Sequence, residues 1–160
     1  MSTEQTTKTP RVVIITGISG AGRRTAAHAV EDLGWYVVDN LPPAMLGALV
    51  DEIAANNIDR LAVVLDVRSR IMFDALGVAV NALDERGIDP AIVFLEASDE
   101  TIVRRQESSR RPLPLQQGGH LLDAVALERR MLSDLRAEAD LVIDTTSITA
   151  RQLAQRIDHA

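Results

Sequence analysis

This chain predicts an α/β fold with a five-stranded parallel sheet, on three observations. Five short runs of β-branched, apolar and aromatic residues alternate with segments of helical periodicity, the first run leads directly into a glycine-rich turn, and the later runs end on polar residues. Such alternation is what a parallel sheet covered on both faces requires, because each parallel strand returns through a crossover. A length of 160 residues fits one domain. A domain of that size buries roughly 70% of the surface its unfolded chain exposes.

The elements follow in order. Residues 1–10 are polar, rich in threonine and without periodicity, so they read as a disordered leader, and a single domain is expected over residues 11–160. Strands are expected at Arg11–Thr16, Trp35–Asp39, Leu61–Val67, Ala91–Glu96 and Asp140–Thr145. The first helix starts within the glycine turn, runs through Ala26–Leu33 and stops at Gly34. Leu41-Pro42-Pro43 opens the second, in which Met45, Leu46, Leu49, Val50 and Ile53 recur at helical intervals. The third runs from Ser69 or Arg70 to Arg86 and is closed by Gly87. Ser98 is suited to cap the fourth, with Asp99 and Glu100 at the positive end of its dipole. Leu121, Val125, Leu132 and Leu135 share one face of a long fifth helix, and Ser147 is expected to cap a sixth. Between the fourth and fifth, Ser108 to His120 holds two prolines and two glycines, which predicts an exposed mobile loop.

The glycine turn carries the chemistry. Gly17 and Gly22 bracket Ile18, Ser19, Gly20 and Ala21, the spacing of a loop whose backbone N–H groups cradle phosphates, and Arg23, Arg24 and Thr25 follow. Such loops use Lys and then Ser or Thr after the second glycine, Lys for the phosphates and the hydroxyl for Mg²⁺. Arg23 stands in the lysine position, Arg24 in the hydroxyl position, and Thr25 comes one residue late. Arginine neutralises phosphate but lacks the compact charge of lysine, so anion binding should survive better than hydrolysis.

Ligands of open parallel sheets lie beyond the carboxyl ends of the strands. Asp39-Asn40, Asp66, Glu96 and Asp144-Thr145-Thr146 all fall there. Taken singly, such residues serve as caps. Taken together around the loop, they outline an acidic rim. Asp66 follows a buried strand, the placement of a carboxylate that holds Mg²⁺, with helix capping as its competing role. Asp66 and Thr25 are therefore the metal candidates. Arg68 lies two residues further and is placed to reach the same pocket. Arg104, Arg105, Arg110 and Arg111 cluster where a lid would clamp phosphates, with a solvated face as the competing role for at least one of Arg104 and Arg105. Arg110 and Arg111, on the irregular segment, join Asp66 as catalytic candidates. No general base stands out, and Asp39 is the first to test. His28, His120 and His159 are too scattered for a metal site or relay.

Composition narrows the class. The chain has no cysteine, which removes disulfides, thiolate chemistry and Cys-type zinc sites, and no secretory or membrane-spanning apolar segment, so a cytoplasmic setting without membrane contact is expected. A formal net charge of −6 disfavours general affinity for nucleic-acid backbone, and Trp35, Tyr36, Phe73 and Phe94 are too few for base-stacking platforms. Of the 17 basic residues all but Lys8 are arginine, a bias that a GC-rich genome produces as readily as phosphate binding.

The glycine loop, Glu31-Asp32-Leu33-Gly34-Trp35-Tyr36 continuing to Asp39-Asn40-Leu41-Pro42, Asp66-Val67-Arg68, Arg110-Arg111 with Pro114-Leu115, and Asp140-Leu141-Val142-Ile143-Asp144-Thr145 together resemble the RapZ-type P-loop nucleotide-binding proteins, also called RNase adapter proteins. The resemblance is collinear from Arg11 to about Ile157. It implies a three-layer, kinase-like P-loop NTPase fold with strand order 2-3-1-4-5, binding of ATP or GTP, and weak ATPase or GTPase activity at most, with Mg²⁺ as the cofactor that the placement of Asp66 already suggests. It also implies Gly17–Thr25 as the nucleotide loop and Asp66-Val67-Arg68 as a second nucleotide motif. RNA and ribonuclease contacts belong to some members, whose second domain has no counterpart expected here. Many members show His where this chain has Leu113. Two further readings stand beside weak hydrolysis: a nucleotide-sensing or scaffolding module without catalysis, and a small-metabolite kinase. Self-association into a homo-oligomer stays open.

Overall fold

The computed structural model describes residues 9–108 and 121–160. Five parallel strands form one sheet: β1 (Arg11–Gly17), β2 (Tyr36–Asp39), β3 (Arg60–Val64), β4 (Ala91–Glu96) and β5 (Leu141–Asp144), in the order β2-β3-β1-β4-β5. The order is the one the family resemblance implies. β1 lies at the centre, its Val13 beside Ala62 of β3 and Ala91 of β4. Val13, Ile14 and Ile15 are fully buried, as a strand covered on both faces requires.

Helices α1 (Arg23–Asp32), α2 (Leu46–Ala55), α3 (Arg70–Glu85), α4 (Asp99–Ser108), α5 (Leu121–Met131), α6 (Ser133–Glu138) and α7 (Ala150–Asp158) supply the covering layers. The connection from β1 to β2 runs one way along the sheet and that from β3 to β4 runs the other. Right-handed crossovers therefore send α1 and α3 to opposite faces and open a crevice beyond the carboxyl ends of β1 and β3. α7 returns to pack on α1. Trp35, just ahead of β2, closes that corner: its indole N–H donates to Asp158 Oδ1 at 2.7 Å, and Arg11 and Arg60 lie 5.2 and 5.6 Å from its ring centroid.

Beyond shifts of a single residue at strand ends, three features differ from the sequence reading. β3 ends at Val64, although the Leu65 N–H still donates to Ile15, so Asp66 sits on the turn beyond the strand. The expected long fifth helix is two, divided at Leu132, where the Ser133 hydroxyl turns back to the Arg130 carbonyl. The last helix is capped by Thr149, not Ser147, because Gln152 three residues on completes a capping box with Thr149. Ser98 caps α4 as expected, accepting from the Thr101 N–H. The expected loop after Ser108 and the leader through Lys8 lie outside the described residues.

Candidate functional site

The glycine loop joins β1 to α1 at the crevice. Gly17 has φ of +151°, and a Cβ there would stand 2.2 Å from the Leu95 carbonyl oxygen, so the residue must be glycine. Gly22 caps α1 in the left-handed region, and the first intrahelical bond runs from the Ala26 N–H to Gly22. The N–H groups of Arg23, Arg24 and Thr25 precede that bond and have no acceptor inside the helix, which leaves them for an anion.

The loop is braced from two sides. Ile18 and Ala21 are buried, and the Ile18 N–H donates to Leu95 of β4. From the other side Arg105 of α4 donates to the Gly20 carbonyl at 2.9 Å, to Thr145 Oγ1 at 3.1 Å and to the Thr145 carbonyl at 2.9 Å. The Thr145 hydroxyl donates in turn to the Ala21 carbonyl at 2.6 Å. The sequence grouped Arg105 with the phosphate clamps, and the structure makes it a support of the loop instead.

Beyond β3, Asp66 is bound by two arginines. Arg23 Nη1 lies 2.9 Å from Oδ1 and also reaches the Leu65 carbonyl, while Arg68 Nε donates to Oδ2 at 2.6 Å. Burial works against the charged carboxylate, but the hydrogen bonds and charges of Arg68 and Arg23 outweigh it, and Asp66 titrates below its ordinary value. Arg23, in the lysine position, thus pairs with the carboxylate expected to hold Mg²⁺. Thr25 is exposed and lines a cavity with Ala21, Gly22, Arg105 and Thr145, whereas Asp66 lines one of about 210 Å³ with Ser19, Arg68, Glu128, Met131 and Leu132. The two metal candidates are not brought to one cavity. With both Asp66 oxygens on guanidinium groups, these residues as they stand do not fit a magnesium site. Among the described residues no three His, Cys, Asp or Glu side chains gather as a metal-holding group.

The remaining strand ends take separate roles. Glu96 pairs with Arg136 at 2.8 Å. Asp144 is held below its ordinary range by hydrogen bonds from the side chain and backbone of Thr146, the capping role a lone strand-end carboxylate takes. Asp39 ends edge strand β2, with β3 between it and β1. Arg24 is exposed. Arg110 and Arg111 lie outside the described residues.

One residue of the site went unread in the sequence. Glu128 of α5 is buried, and its Oε1 accepts from the Ser19 N–H of the glycine loop at 2.7 Å. The signal was available: Glu128 follows Val125 by three and precedes Leu132 by four, within the apolar stripe of the fifth helix.

A strand, glycine loop and helix at the switch point of a parallel sheet define a P-loop, kinase-like domain. Among solved structures the shikimate kinase of Acinetobacter baumannii has this fold, with a TM-score of 0.64 at 18% identity over 95% of this chain and 93% of that one. The model of the RapZ-like N-terminal domain matches residues 11–160, and the chain belongs to that family. It is 53% identical over 93% of its length to a nucleotide-binding protein of Streptomyces coelicolor, covering 50% of that relative. It is 51% identical over its full length to one of Saccharopolyspora erythraea, covering 55% of it. The chain therefore spans about half the length of these curated relatives. No helix among the described residues is long and apolar enough to cross a membrane.

Proposed function

We propose that this chain binds a purine nucleotide, ATP or GTP, through its phosphates at Gly17–Thr25, and hydrolyses it weakly or not at all, as part of a cytoplasmic regulatory protein of the RNase-adapter kind. The observation that carries the reading is the strand-loop-helix unit: positive φ at Gly17, Gly20 and Gly22 turns the chain so that the first amides of α1 stand at the crevice beside Asp66. The relatives' names as nucleotide-binding proteins agree with it. Slow turnover follows from Arg23, which is engaged with Asp66, and from the distance in the sheet between Asp39 and the loop. Neutralisation of the phosphates falls to Arg23 and Arg68, which occupy the carboxylate that Mg²⁺ would need. Contacts with RNA or a ribonuclease belong, in this reading, to the length of the relatives that the chain does not span.

Calorimetric titration with ATP and GTP, with and without Mg²⁺, tests the reading. Saturable binding that Arg23→Ala abolishes is expected, with little phosphate release afterwards. Absent binding, or binding unchanged in Arg23→Ala, would overturn it. The second reading, a sensor without catalysis, is favoured by the carboxylate of Glu128 on the loop, and binding with no phosphate release at all would select it.

A further inference from the structure

Glu128 is the one charged side chain among the described residues that is buried, at 9% exposure. Its Oε1 is bonded to the Ser19 N–H, while its Oε2 is buried with no hydrogen-bond partner. A half-satisfied carboxylate inside a protein is destabilising, and an apolar side chain would suit this position in the stripe of α5 better. Packing therefore does not account for the residue.

Its position does. The Ser19 amide belongs to the loop whose N–H groups bind phosphate oxygens, and a carboxylate oxygen is an acceptor of the same kind. Glu128 also lines the crevice cavity with Ser19, Asp66 and Arg68. There the Arg68 guanidinium lies among two carboxylates, Asp66 and Glu128, while Arg23 pairs with Asp66 from beside the cavity, so the four formal charges sum to zero. A polyphosphate arriving at the loop meets no net positive charge from these four groups, and it meets an amide already engaged.

We propose that Glu128 is an internal anion that holds the loop in the empty protein and is displaced by a phosphate of the incoming nucleotide, so that this residue sets the affinity of the site for polyphosphate. The inference rests on the nucleotide reading of the same loop. A purely structural Glu128, bracing Ser19 in its binding conformation, predicts the opposite sign: its removal would weaken binding.

The test titrates inorganic tripolyphosphate, ATP and GTP into the wild-type chain, Glu128→Gln and Glu128→Ala, with folding checked by thermal unfolding. Glutamine keeps the volume and an acceptor for Ser19, and removes the charge by putting an amide NH₂ in place of one oxygen. Tripolyphosphate should bind Glu128→Gln at least tenfold more tightly than wild type, with Glu128→Ala moving the same way. Wild-type binding with equal or weaker binding by Glu128→Gln overturns the displacement and leaves the nucleotide reading standing. No binding by any of the three proteins overturns both. Nucleotide binding that appears only when the charge is removed supports both. In the wild-type protein alone, saturating tripolyphosphate should shift the Glu128 carboxyl carbon resonance, and an unmoved resonance in the saturated protein also overturns the displacement.

Discussion

Arg105 separates two roles that arginines near a phosphate loop can take. A clamp contributes to affinity and little to the fold, while a brace contributes to both. The three hydrogen bonds of Arg105, at 2.9, 3.1 and 2.9 Å, all end on protein atoms of the loop and of the turn after β5. Bonds from charged donors contribute about 1.5–3 kcal/mol each, but the part-exposed setting lets water replace some of that, so about 1 kcal/mol per bond is the working figure. Arg105→Ala should then cost about 3 kcal/mol, which in a domain of this size lowers the melting temperature by about 6–12 °C. Arg105→Lys has one ammonium where the guanidinium reaches three acceptors, so it should recover about a third of the loss. Thermal unfolding of the three proteins without nucleotide measures this. A melting temperature for Arg105→Ala within about 1 °C of wild type, together with a large loss of ATP affinity, would refute the brace and restore the clamp.

Gly17→Ala should destabilise by more than about 3 kcal/mol, from backbone strain at positive φ and from the collision with Leu95, and urea unfolding or loss of soluble expression reports it. Trp35→Phe removes the indole donor to Asp158 and weakens the stacking of Arg11 and Arg60, at about 1–2 kcal/mol by the same measurement. Asp66 is held below its ordinary value in the folded state, so its ion pairs contribute stability above the unfolded value, near pH 4, that is lost as pH falls through the lower folded value. The melting-temperature gap between wild type and Asp66→Asn should therefore be widest at neutral pH and narrow toward pH 3. Arg23→Lys with Arg24→Ser restores the Lys-Ser pair of ordinary P-loops, and phosphate release should then rise and become dependent on Mg²⁺; an unchanged rate would show that the register assigned to the loop is wrong.

The sheet was legible because its signals are local. Val12 to Ile15, Leu61 to Val64 and Ala91 to Leu95 are short apolar runs bounded by turns, and the alternation with helices fixes a parallel arrangement without knowledge of any long-range contact. Asp66 was legible for the same reason, as the polar residue at the end of such a run. What each polar residue binds was not legible, because a partner is chosen in three dimensions. Arg23 and Asp66 lie far apart in sequence, on either side of β2, and a reading that gives one to phosphate and the other to Mg²⁺ treats them as independent. In the fold they lie 2.9 Å apart and satisfy one another. Arg105 likewise reads as one of four arginines in a basic stretch, until α4 brings it against Gly20.

Glu128 is the instructive case, because its signal was local and still passed over. A heptad-like stripe tolerates a polar interruption on the surface, but Leu121, Val125, Leu132 and Leu135 already define the buried face, and position 128 falls inside it. A carboxylate there has to meet a donor in the fold or destabilise it. The donors of a parallel sheet protein that lack internal partners are the amides of its strand-to-helix turns. A charged residue within the apolar stripe of a helix that borders a glycine loop is thus itself evidence about that loop. In this chain it indicates that the Ser19 amide is a strong enough donor to hold a buried anion, which is the same property that binding a phosphate demands.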